Sequence, residues 1–204
     1  MAINENKSLP NRHCFVSAKT GGGKSQLLAR IPKGAKRLVV WDPDKDHKVR
    51  HVTDKRVFLK ALQAVMRSGG RIGWAGADDK DTFEWFMQCL WAALDGSKDL
   101  YALVEEAADL DLGQKMPTWT GKVWRRGRKY GAILLVGTQR IQEVPKAFIT
   151  QAANIYIGQH SANDQHYVKR HTGIDPIMVN SLNPLQFYKI SDGETKRITI
   201  KYVA

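Results

Sequence analysis

The feature that most constrains this chain is a rhythm in which short, continuous apolar runs alternate with amphipathic segments. Runs such as RLVVWD (37–42) and AILLVGT (132–138) show no alternation of apolar and polar faces. A strand buried on both sides reads this way, and such strands belong to parallel sheets covered by helices. The pattern predicts strands over 12–18, 37–42, 71–76, 100–106, 132–138 and 153–158. Between them it predicts a helix over 24–31 stopped by Pro32, and one over 54–68 closed by Gly69-Gly70. Further helices are expected over 81–94, opened by Asp81 or Thr82 as a cap, over about 117–130, and over 145–152. The rhythm changes at the end, where LQFYKIS and TKRITIKYV flank Asp192-Gly193, a hairpin signal. The expected fold class is α/β: a mostly parallel central sheet, helices on both faces, and a C-terminal antiparallel hairpin. Without repeats or a Pro/Ser-rich linker, residues 1–204 read as one domain, with a core at about 10–160 and C-terminal helices and hairpin in 161–204.

The first strand runs into SAKTGGGKSQ (17–26) and then into a helix. That is the context required of the phosphate-binding pattern G-x-x-x-x-G-K-[ST]. Ala18 occupies the first position, which asks only that the backbone there avoid positive φ. The glycines let successive N–H groups turn inward around phosphate oxygens, and the helix start adds partial positive charge. The candidate nucleotide-binding residues are Ala18, Lys19, Thr20, Gly21, Gly22, Gly23, Lys24, Ser25 and Gln26. Lys24 is expected to reach the β- and γ-phosphates and Ser25 to hold Mg²⁺, so ATP and Mg²⁺ are the expected cofactors.

Two further groups lie at strand ends, the edge where open α/β sheets bind ligands. LYALVEE ends in Glu105 and Glu106, read as a metal-shell carboxylate and a water-activating base; a pair of solvated acids is the plainer alternative. LLVGTQR ends in Thr138, Gln139 and Arg140, with Gln139 placed to sense the γ-phosphate. The candidate catalytic residues are therefore Lys24, Glu105, Glu106 and Gln139, and the candidate metal ligands Ser25 and Glu105. WDPDKDH (41–47) carries a D-x-D-x-D spacing, but its sixth and twelfth positions are His47 and Thr53, so the calcium-loop reading fails. Asp42 is left between a place near the nucleotide and a turn-forming Asp-Pro. His160, His166 and His171 match no metal-ligand spacing.

The net charge is +12, and no acid occurs from Leu112 to Gln142 while Lys115, Lys122, Arg125, Arg126, Arg128, Lys129 and Arg140 all fall there. Such a balance favours a polyanionic partner. Trp119 and Trp124, within this stretch, read as core anchors ahead of nucleic-acid contacts. No apolar run approaches the roughly 20 residues needed to span a bilayer, and the polar start MAINENKSLP has no signal-peptide core, so an intracellular, soluble protein is expected. Cys14 and Cys89 sit in apolar segments and read as reduced core residues.

The three motifs in this order, with WDPDKDH after the second strand and RRGRKYGAILLVGTQRIQEVPKAFITQAANIYIG downstream, resemble the HerA/FtsK superfamily of DNA-pumping ATPases. Within it the chain is similar to the small genome-packaging ATPases of membrane-containing icosahedral viruses. The resemblance spans about residues 10–160, and the stretch GRKYG through GTQRIQEVPK is its most specific part. It implies a single RecA-like P-loop NTPase domain, with Lys24 and Ser25 on nucleotide and Mg²⁺, Glu106 as catalytic carboxylate and Gln139 as polar sensor. The family has Asp where this chain has Glu105, and the extra methylene changes the reach to the metal. The resemblance also implies a homo-oligomeric ring, commonly a hexamer, in which a neighbour supplies an arginine finger; Arg125, Arg126, Arg128 and Arg140 are the candidates. Double-stranded DNA, and a capsid or membrane-vertex protein, are the implied partners. The host cytoplasm and the packaging vertex of a virion are the implied locations. The competing classes are a small-molecule P-loop kinase and a DNA-binding nucleotide switch without translocation.

Overall fold

The computed structural model describes residues 1–202. The apolar runs form β1 (Cys14–Ser17), β2 (Arg37–Trp41), β4 (Gly70–Trp74), β5 (Leu100–Val104), β6 (Ala132–Thr138) and β7 (Asn154–Ile157). Beside them stand β3 (Arg50–Val52), which is too short to register as an apolar run, and the hairpin strands β8 (Gln186–Ser191) and β9 (Glu194–Thr199). The helices are α1 (Lys24–Arg30), α2 (Lys55–Ser68), α3 (Lys80–Ala93), α4 (Thr118–Arg126), α5 (Ala147–Thr150), α6 (Gln165–Thr172) and α7 (Pro176–Asn180). One sheet runs through the described residues in the order β3-β4-β2-β5-β6-β1-β7-β8-β9. Every pairing from β3 to β7 is parallel, while β7–β8 and β8–β9 are antiparallel. The expected α/β fold is borne out. The hairpin is shorter than expected: β9 stops at Thr199, and Val203 lies outside the described residues.

The two faces are covered unequally. The buried residues of α2 through α7 join one core built around Phe15, Trp41, Trp74, Phe86 and Val136. On the other face α1 is the only helix among the described residues, and its Leu27 and Leu28 pack on Val16, Val40, Leu103 and Leu135. Loops complete that side, with Arg71 donating to the carbonyls of Pro32 and Lys33. Among the described residues no helix is long and apolar enough to cross a membrane.

Local chemistry explains most boundaries. Asp54 caps α2 by accepting from the amides of Arg56 and Val57, and Gly69, at φ 92°, ends it. The cap of α3 is Asp79, not Asp81 or Thr82: its carboxylate accepts from Thr82 N at 2.9 Å, so the helix starts earlier than the apolar pattern does. The N-terminus of α4 has no cap of its own. Glu84 of α3 accepts from the amides of Trp119 and Thr120, which welds the two helices end to side. A 3-10 turn over Gly127–Tyr130 continues from α4 and closes on Gly131 at φ 79°. Trp124 is buried, stacks on His13 at 4.8 Å, meets Phe148 edge-on and donates to the carbonyl of Ala147. Cys14 and Cys89 are buried free thiols.

His13 ties three strands together. Its Nδ1 accepts from Leu134 N, and its carbonyl accepts from the amides of Ala153 and Asn154. Burial pushes this imidazole down to about 4, although the backbone of Trp124 opposes the shift. A depressed folded-state pKa means the stability is present above about 6.5, where the unfolded imidazole is also neutral, and is lost as pH falls towards 4. Urea unfolding at pH 7 and pH 4.5 should therefore show a loss from this residue of roughly 2–3 kcal/mol. His13→Gln should flatten that part of the slope.

Candidate active site

Because β2, β5, β6 and β1 are parallel neighbours, their carboxyl ends emerge on one edge of the sheet. The glycine loop leaves β1 there. Gly22 N donates to Lys19 O at 3.0 Å, Gly21 and Gly23 take φ of 75° and 100°, and α1 starts at Lys24. Ala18 is fully buried and lies outside the positive-φ region, so the alanine is sterically compatible with the first position. Lys19 N donates to Gln159 O, and buried Ser17 donates its hydroxyl to Nε2 of His160, whose Nδ1 donates to Gly158 O. The segment after β7 thus straps the start of the loop, and His160 has a hydrogen-bonding role.

Lys24 is the centre of the site. Its ammonium donates to Glu105 O at 2.8 Å and lies 3.0 Å from Glu106 Oε2 and 3.8 Å from Glu105 Oε1. The lysine is buried, and the two carboxylates offset the cost of removing its charge from water. Glu106 is held from its other side, accepting from Thr138 Oγ1 at 2.8 Å and from Gln139 N at 2.9 Å. The Gln139 side chain accepts from the Thr20 hydroxyl, joining β6 to the glycine loop. The loop lysine, both glutamates and Gln139 are therefore brought together.

Glu105 meets Ser25 Oγ through Oε1 and His47 Nε2 through Oε2, the latter at 2.6 Å. Burial alone would raise the pKa of Glu105. The donors His47 and Ser25 and the charge of Lys24 outweigh burial and bring it down to about 2. Burial opposes the imidazolium of His47, yet Glu105, with Asp42 and Asp46, holds its pKa above the ordinary value. Ser25 and Glu105 present an ionised carboxylate and a hydroxyl at one point. Such hard oxygen donors suit Mg²⁺, which takes one or two protein ligands and completes its shell with phosphate and water.

Asp42 takes the turn-forming role: its carboxylate accepts from the amides of Asp46 and His47 and from His51 Nε2. His47 itself was passed over in the sequence, because the loop fails as a calcium site and the fold alone turns it toward Glu105. Pro184, Leu185 and Tyr202 were also missed. With the glycine loop and Gln139 they line a hollow of about 530 Å³. Leu185 N donates to Gly22 O at 3.0 Å, and no local signal announces that contact across the chain.

The candidate arginines are scattered. Arg125 and Arg126 are exposed and line a shallow basic hollow with Lys122 of α4 and Lys115 from the segment before it. Arg140 is exposed beside Gln139 and pairs with Glu143 at 3.2 Å. Arg128 donates to the carbonyls of Lys7 and Leu9 and fastens the N-terminal segment, so its guanidinium is already committed.

No family model matches the chain. It is 32% identical over 146 residues to protein P9 of Pseudoalteromonas phage PM2, covering 71% of this chain and 66% of P9, just short of two thirds of that protein's length. The genome packaging NTPase B204 of Sulfolobus turreted icosahedral virus 2, in complex with AMPPCP, superposes with a TM-score of 0.72 at 15% identity, covering 96% of this chain and 99% of B204. VirB4 of Thermoanaerobacter pseudethanolicus gives a TM-score of 0.64 at 12% identity, covering 95% and 90% of the two chains. At these identities the structures establish a shared fold, and the resemblance read from the sequence is borne out at that level.

The glycine loop generates a direct test. A Cβ on Gly23 would lie 2.8 Å from Leu185 Cδ2, on a backbone already at φ 100°. Gly21 is also left-handed but faces open space. Gly21→Ala should cost only the backbone penalty of about 1–2 kcal/mol, and Gly23→Ala distinctly more, compared by urea denaturation.

Proposed function

With the HerA/FtsK-type ATPase fold as premise, we propose that this chain is an ATP-hydrolysing translocase that pumps double-stranded DNA, in the service of viral genome packaging. The single observation that carries the reading is the meeting of Lys24 with Glu105 and Glu106 at the mouth of the glycine loop. B204 is a genome packaging NTPase whose structure was solved in complex with AMPPCP, and the shared fold supports nucleotide binding by this chain.

In the proposed reaction the glycine-loop amides and Lys24 bind the β- and γ-phosphates. Ser25 and Glu105 would hold Mg²⁺, which would neutralise phosphate charge. Water attacks the γ-phosphorus and the bond to the β–γ bridging oxygen breaks, giving ADP and phosphate, while Glu106 takes the water's proton. Thr138 donates to Oε1 of Glu106, the amide of Gln139 is shared between both carboxylate oxygens, and Oε2 also faces Lys24. Gln139, already joined to Thr20, senses the γ-phosphate. Arg125, Arg126 and Arg140 are the arginines available to a neighbouring copy in a ring, taken as a hexamer. The α4 hollow, with Lys115, Lys122, Arg125 and Arg126, would hold DNA by its phosphates without reading bases. A capsid or membrane-vertex protein is the proposed docking partner, at a packaging vertex reached from the host cytoplasm.

ATPase rate with and without duplex DNA tests the proposal. A translocase is stimulated by DNA, whereas a kinase ignores DNA and transfers phosphate to a small acceptor, and a nucleotide switch turns over in neither setting. Glu106→Gln should lower turnover about 100-fold or more while nucleotide still binds; unchanged turnover removes Glu106 from the mechanism. Arg125→Ala combined with Arg126→Ala should reduce the slope of log affinity for DNA against log salt by roughly 2. An unaltered slope excludes the α4 hollow as the contact.

A further inference from the structure

We infer that His47 is a positioning residue that clamps Glu105 so that one chosen carboxylate oxygen faces the metal place beside Ser25. The inference rests on the nucleotide-hydrolysis reading above and extends it to a loop that reading leaves unused. The loop after β2 is built to deliver this side chain. Asp42, which is 4% exposed, draws in the amides of Asp46 at 2.9 Å and His47 at 3.1 Å, and takes His51 Nε2 at 2.6 Å. The loop folds back over the end of β5, and the imidazole, with its side chain only 9% exposed, reaches Glu105.

A glutamate at this position needs such a partner. Its side chain carries three rotatable bonds, and ordering it costs entropy that a shorter acid would not lose. Ser25 meets Oε1, while the Nε2–H of His47 takes Oε2 at 2.6 Å; together with Lys24 on the backbone carbonyl these contacts define a single orientation. With His47 in place Oε1 is the oxygen offered to a cation beside Ser25. Without it the carboxylate is free to rotate about its side-chain bonds, and neither oxygen is fixed toward the place beside Ser25. Partners that orient a metal ligand from behind typically change metal affinity or activity about 10–100-fold when removed.

The test is binding of a fluorescent, non-hydrolysable ATP analogue to the full chain, titrated with Mg²⁺ and repeated in EDTA. For His47→Ala the Mg²⁺ concentration at half-effect should rise about 10–100-fold, with affinity in EDTA equal to that of the wild type. His47→Gln, which keeps an N–H donor at similar reach, should restore most of the Mg²⁺ response. His47→Leu fills the space without a donor and should follow the alanine variant, which keeps the test available if His47→Ala does not fold. A normal Mg²⁺ response in either donor-less variant overturns the inference. A loss of affinity that is the same in EDTA as in Mg²⁺ also overturns it, by assigning His47 a purely structural role. A wild-type chain that binds no nucleotide overturns the hydrolysis reading itself and the inference with it.

Discussion

Parallel pairing of β5, β6 and β1 is the constraint on which the site depends. Register places Val104 opposite Val136 and Ser17 opposite Thr138, so β1 and β6 stop together and β5 stops two residues earlier. Past that line each backbone amide loses its ladder partner and has to find another. Ala107 N turns to Gly137 O, Gln139 N to the Glu106 carboxylate, and Lys19 N to Gln159 O. One of these bonds, from Gln139 N, also orients the Glu106 carboxylate of the candidate site.

The electrostatics follow from that geometry. A buried ammonium and two carboxylates at one strand end are stable only as a group, since removing one member leaves an uncompensated charge away from water. Glu105 illustrates the balance: desolvation works against its anion, yet the surrounding donors and Lys24 keep it ionised far below neutrality. His47 of the acidic loop is hydrogen-bonded to Glu105 at the end of β5, and the loop's carboxylates at Asp44 and Asp46 line the space beside the two glutamates.

Much of this was legible in the chain. Six strands announce themselves because burial on both faces leaves no room for polar residues, and the strand–glycine–helix sequence around Gly21 to Ser25 admits few other uses. The proximity of Lys24, Glu105, Glu106 and Gln139 could be anticipated because the two glutamates and Gln139 follow the carboxyl ends of such strands and Lys24 opens the helix after the glycine loop. Other features were hidden for physical reasons. β3 is three residues long and mostly accessible, so it lacks the apolar signature. The start of α3 at Asp79 is set by a carboxylate outside the apolar pattern. The unequal covering of the sheet could not be read either, since a buried strand looks the same under one short helix with loops as under several helices. His47 and Leu185 depend on contacts across the fold, and nothing near them in sequence points to their partners.

The contact between Leu185 and the glycine loop has a mechanical meaning. Leu185 stands at φ 67°, an uncomfortable conformation for a branched side chain, with its amide on Gly22 O and its carbonyl receiving Ile200 N. The ribbon formed by β8 and β9 is thereby geared to the turn at Gly22 through two consecutive backbone linkages. A displacement of the ribbon cannot be absorbed by side-chain rotation at that joint. The far edge of the sheet and the turn that carries Lys24 are thus joined main chain to main chain, two residues short of that lysine.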